Sequence, residues 1–128
     1  MEMVAEEGIL ISDEIRPTVS TELLTFVRNV LAREELTHWP VHIWACRGEG
    51  LCDNHICFGL CETERQTRAL FLHEAAHALL NPKRSCYAKD WQPDSYWHKA
   101  VWQREFKRLC STYNITLRPI DEVTHYLR

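Results

Sequence analysis

The chain has no apolar run approaching the roughly 20 residues that a bilayer-spanning helix needs, so no membrane partner is expected. Its first residues, MEMVAEEGILISDE, place no basic residue ahead of the short apolar stretch. A secretory signal opens on basic residues, so an intracellular, cytoplasmic location is expected. No internal repeat, low-complexity tract or Gly/Ser linker interrupts the sequence, and a single domain over residues 1–128 follows. There is no excess of one charge either: the net charge is −3. The distribution is uneven. Residues 1–35 hold three Arg against eight Asp/Glu, −5, and residues 83–108 hold seven Lys/Arg against three Asp/Glu, +4. The basic segment suits an acidic partner or DNA; charged helix faces in water account for the same pattern.

Cysteine, by contrast, is plentiful, with six: Cys46, Cys52, Cys57, Cys61, Cys86 and Cys110. None of them forms the C-x2-C pair that marks a zinc site strongly. Without a signal peptide they read as reduced thiols rather than a disulfide framework. A second metal site at Cys46, Cys52, His55 and Cys57 is one alternative. Another is a cross-strand pair of Cys46 and Cys57. The simplest is that these cysteines are small apolar residues.

The coarse architecture follows from periodicity. Residues 8–12 suit a short strand. Val19, Leu23, Phe26, Val27, Val30 and Leu31 recur at helical steps, predicting a helix over about 19–36 that starts near Pro17 and Thr18. Val41, Ile43 and Ala45 alternate with His42, Trp44 and Cys46, and Ile56, Phe58 and Leu60 alternate again. These predict strands over 39–46 and 55–61, paired as an antiparallel hairpin with a turn at 47–50. Thr63 and Gln66 match a capping box for a helix ending at Leu80, before Asn81-Pro82. A loop over 82–93 leads to a third helix over about 96–110, capped by Asp94 or Ser95.

The second helix carries the chemistry. His73 and His77 are four apart, so their rings share one helical face a turn apart. Two imidazoles so placed bind one tetrahedral zinc. Glu74 lies too far round the helix to be a ligand beside both. It reaches instead the open side of the metal, where it acts as general base on a metal-activated water. This is the H-E-x-x-H arrangement. By chance a chain of this length carries it about once in a few hundred. Small and apolar neighbours, Ala69, Leu72, Ala75, Ala76, Leu79 and Leu80, suit a buried, rigid helix. Zinc needs a third protein ligand. Downstream candidates are Cys86, Asp90, Asp94, His98 and Glu105. His98 stands first, because it opens the third helix after a loop long enough for the chain to double back. Tyr87, Tyr96, Arg104 and His125 are candidate donors to the oxyanion.

HEAAHALL followed, after a loop, by WHKAVWQREFKRL resembles the SprT-like zincin metallopeptidases. In that family an HExxH helix is followed by a third histidine opening another helix, with an aromatic four residues on. Here those positions are His73, Glu74, His77, His98 and Trp102. The resemblance covers about residues 20–110. It departs at Lys99, where the family commonly has glycine, and in carrying no C-terminal zinc ribbon. It implies an α+β zincin-like domain: a small, mostly antiparallel sheet, an N-terminal helix, the HExxH active-site helix and a third, ligand-bearing helix. It also implies Zn2+ as cofactor, a protein or peptide substrate, and the DNA-associated proteolysis of some members. An extended peptide would pair with an edge strand, here 55–61. Of the five tryptophans, Trp97 and Trp102 are expected to pack the third helix and Trp91 to border the cleft. Two other readings remain open. One is a zinc-bound interaction module that cleaves nothing. The other is a regulatory peptidase with a carboxylate third ligand, acting on a repressor or toxin.

Overall fold

The computed structural model describes residues 3–6, 8–44, 49–52, 55–80 and 100–116. Strands β1 (Met3–Glu6) and β2 (Ile9–Ser12) lead through a 3-10 turn (Asp13–Thr18) into helix α1 (Thr21–Arg33). Strands β3 (Val41–Trp44), β4 (Glu49–Cys52) and β5 (His55–Gly59) follow, then α2 (Glu64–Leu79) and α3 (Ala100–Thr112). This is a small α+β domain.

The five strands form one mixed sheet in the order β1-β2-β3-β5-β4. β2, β3 and β5 run parallel at its centre, while β1 and β4 are antiparallel to their neighbours. The expected mostly antiparallel sheet is therefore corrected. So is the predicted hairpin: β3 and β5 pair in parallel, with Val41 opposite Ile56 and Ile43 opposite Phe58. The reason is that Glu49 and Gly50, taken as turn residues, belong to a third strand. β4 pairs with the far side of β5, Cys52 opposite His55, and so occupies the place of β5's antiparallel partner. Alternation shows which residues share a face but not which strand lies next. β5 is consequently an interior strand, not an edge.

One face of the parallel core is Ile9, Ile11, Val41, Ile43, Ile56 and Phe58, each at most 2% exposed. Burying side chains of this size contributes about 1.5–3 kcal/mol apiece. The helices close this face. α1 supplies Leu23, Leu24, Phe26, Val27, Val30 and Leu31. It begins later than its sequence suggests: Ser20, not Pro17 or Thr18, is the cap, accepting from the Leu23 amide at 3.0 Å. α1 and α3 end alike. Glu35 and Asn114 take left-handed φ of 59°, and the amides of Leu36 and Ile115 reach back to the Leu31 and Cys110 carbonyls at 2.7 and 2.8 Å. Both following residues are buried, as such helix ends favour.

α2 starts with the capping box that its sequence predicts. Thr63 accepts from the Gln66 amide at 3.1 Å, and Gln66 accepts from the Thr63 amide at 3.1 Å. Thr63→Ala removes one side of it and should cost about 1 kcal/mol, read from the shift of the urea midpoint.

A polar cluster ties the end of α1 to α3. Arg108 donates to Glu34 at 2.6 Å and Tyr113 donates to it at 2.8 Å. Partial burial pushes the Glu34 carboxyl up, but the bonds from Arg108 and Tyr113 and the charges of Arg108 and Arg33 outweigh it, and the carboxyl ends below its usual value. The Tyr113 hydroxyl is pushed up to about 12, by burial and then by Glu34. A depressed carboxyl stabilises the fold above its unfolded value of 4.5, and that stability is lost as pH falls through the lower folded value. The stability gap between wild type and Glu34→Gln should therefore be full at neutral pH and close in acid below about pH 4. A gap unchanged across urea titrations at pH 3 to 7 would remove this role.

Candidate metal centre

α2 is an interior helix. Residues 69–76 are buried without a break, so no side of this segment faces water. Phe71 meets Phe58 of the sheet at 5.3 Å between ring centres on one side, and Phe26 of α1 at 6.2 Å. α3 covers the remaining side with a stripe of Trp102, Phe106, Leu109 and Cys110. An all-apolar sequence is the ordinary solution for such a helix. This one carries His73 and Glu74, each 2% exposed, with His77 half-buried one turn on.

The ligand-type atoms of His73, Glu74 and His77 all lie within 4.8 Å of one another. His73 Nε2 is 3.5 Å from Glu74 Oε1, and the two imidazole centres are 5.0 Å apart. A buried carboxylate is costly unless a positive charge compensates it. A divalent cation beside the carboxylate supplies that charge, and the two imidazole nitrogens are donors that zinc accepts. The residues present therefore fit a metal ion. Among the described residues, no other group of three or more such side chains converges in this way.

α3 shapes the centre through Trp102. Its indole Nε1 donates to the His73 carbonyl at 3.3 Å. Its ring stands edge-on to His73 at 4.7 Å and stacks on His77 at 5.3 Å, with 25° between planes. Phe106 stacks behind it at 5.0 Å and lies 5.9 Å from His73. Both histidines are thus held against a fixed aromatic wall. Periodicity assigned Trp102 to helix packing; its contact with the two imidazoles needed the crossing of α2 and α3.

The other candidate residues divide. His98, Cys86, Asp90, Asp94, Tyr87, Tyr96, Trp91, Trp97 and His125 lie outside the described residues, as do Cys46 and most of the basic segment 83–108. Glu105 does not join the cluster, since it accepts from Arg108 at 3.0 and 2.5 Å. Arg104 is exposed. The strand neighbours of Cys57 are His42 and Gly50; the Cys46 proposed to pair with it lies outside the described residues. Cys57 and Cys110 are buried and Cys61 is half-buried.

No protein-family model matches the chain, and neither does any curated protein or solved structure. No helix among the described residues is long and apolar enough to cross a membrane.

Trp102 is 1% exposed, so Trp102→Ala should cost about 3–5 kcal/mol of stability. Trp102→Phe keeps the stacked ring but loses the bond to the His73 carbonyl, and should cost about 1 kcal/mol from that bond plus the smaller ring. Denaturant midpoints of the two variants separate the packing role from the hydrogen bond.

Proposed function

We propose that this chain is a zinc-dependent metallopeptidase with a zincin-like domain, cleaving peptide bonds in a protein or peptide substrate. The convergence of His73, Glu74 and His77 within 4.8 Å, at the end of the buried segment of α2, is the observation that carries the reading. A purely structural metal site has no need of a buried carboxylate at the position after the first histidine. In this reading His73 and His77 hold the ion through ring nitrogens, and His98, two residues before α3, is the third ligand. A zinc ion so held supplies an activated water and polarises the substrate carbonyl.

The chain's own residues do the remaining work. Glu74 accepts a proton at its carboxylate and passes it to the departing amine. Its burial excludes bulk water from that exchange and strengthens its interaction with nearby charge. Trp102 keeps both imidazoles in place as the proton moves. Among the described residues β4 is an edge strand beside β5, the strand that leads into α2, and is suited to take an extended substrate. The pairing of Glu105 with Arg108 favours a histidine over this carboxylate as third ligand. The SprT-like resemblance extends the reading to substrates met on DNA.

Glu74→Gln should retain zinc, measured by elemental analysis, while cleavage of an unfolded protein substrate falls about 10²–10⁴-fold. Cleavage that survives this substitution would reject the mechanism. His98→Ala should lower the zinc content of the purified chain; unchanged content would place the third ligand elsewhere.

A further inference from the structure

A surface groove of about 440 Å³ runs beside α1, within the range of ligand sites. Glu22, Thr25, Asn29 and Arg33 of α1 line it. Their steps of three and four residues make one stripe along the helix. Phe26, Arg68 of α2 and Tyr113, just past α3, complete the lining. Both guanidiniums are seated on aromatic rings: Arg68 lies over Phe26 at 4.8 Å and Arg33 over Tyr113 at 5.2 Å. The two rings meet edge-on at 5.9 Å, and Glu34 holds the Tyr113 hydroxyl. Most of the charge here is already matched. Arg68 pairs with Glu64, and Glu34 is engaged by Arg108 and Tyr113, so Arg33 acts on it through charge alone. Glu22 and Arg33 make no side-chain hydrogen bond or ion pair among the described residues. The groove therefore holds one unmatched charge of each sign, at positions 22 and 33, about 16.5 Å apart along the helix axis.

We propose that this groove binds an extended peptide segment of a partner protein, with a basic side chain at one end and an acidic one at the other. Residues four apart on an extended chain point the same way and lie roughly 13 Å apart. The reach of long charged side chains covers the remaining few ångströms. The basic group faces Glu22 and the acidic group faces Arg33. Thr25 and Asn29 lie between them and offer a hydroxyl and an amide to the peptide backbone. Arg33 is already seated on Tyr113, so it loses less freedom on binding than an unsupported side chain would. A uniformly charged polyanion such as a nucleic acid suits the groove less well, because its phosphates meet Glu22 as a like charge. Glu22 and Arg33 also complement the dipole of α1 at its two ends; that role needs no groove between them. The proposal does not depend on the metal centre.

Titration of the full-length, isotope-labelled chain with blocked pentapeptides, followed by amide NMR, tests this. One peptide carries Lys and Glu at its first and fifth positions with alanine between. The other two carry Lys at both positions or Glu at both. The expected result is saturable shifts of the Thr25 and Asn29 amides, with the mixed peptide binding tightest. Exposed charge pairs set these affinities apart by about two- to fivefold, so reversing a charge is the sharper readout. Arg33→Glu should make the Lys/Lys peptide the tightest, and Glu22→Lys the Glu/Glu peptide. Lys107→Gln, an exposed change on α3 outside the groove lining, should leave the order as in the wild type. Glu22 and Arg33 are exposed, and the amide spectrum of each variant reports its fold directly. No saturable shift at these amides with any peptide, or an order that neither reversal changes, would overturn the proposal. So would a short DNA duplex that shifts the same amides at lower concentration than the mixed peptide.

Discussion

The burial of the 69–76 segment of α2 on every side is the constraint on which the rest of the structure depends. A helix segment enclosed between a sheet and two other helices loses its water, and each polar group it carries must find compensation inside the protein. His73 and Glu74 are such groups. Their burial is tolerable where a cation balances the carboxylate and engages the imidazole, and the same exclusion of water makes a carboxylate effective at moving protons. Packing and chemistry therefore impose one requirement on this helix, and the small residues Ala69, Ala75, Ala76 and Ala78 let its neighbours approach closely enough to meet it.

The surrounding elements serve that enclosure. The parallel strands present an apolar face on which Phe71 rests through Phe58. α1 closes a second side through Phe26. α3 closes the third with Trp102 stacked on His77 and Phe106 stacked behind it. The Glu34–Arg108–Tyr113 cluster joins α1 to α3 directly, so the two helices flanking α2 are linked to each other as well as to it. The opposite face of the sheet follows different rules. There Cys57 is buried with His42 as its cross-strand neighbour.

Much of this was legible in the residues. The capping box of Thr63 and Gln66 is local chemistry, written within four residues, and it forms as read. α1 follows from its apolar stripe, and only its first turn was misplaced, because Ser20 outcompetes Thr18 as the cap. The approach of His73 and His77 follows from the pitch of a helix. The sheet was not legible in the same way. Alternation placed Val41, Ile43, Ile56 and Phe58 correctly on a buried face, but an antiparallel hairpin and a parallel pair with a third strand returning alongside show the same alternation.

The sequence by itself determined the local features: the capped start of α2, the faces of the strands, and the clustering of His73, Glu74 and His77, because each depends on residues within a turn or two of one another. Only the tertiary structure decided the strand order, the identity of the edge strands, the seating of Trp102 against both imidazoles and the pairing of Cys57 with His42. These join residues far apart in the chain, and their partners are selected by which apolar faces can be buried together, a competition among whole elements that no short pattern records.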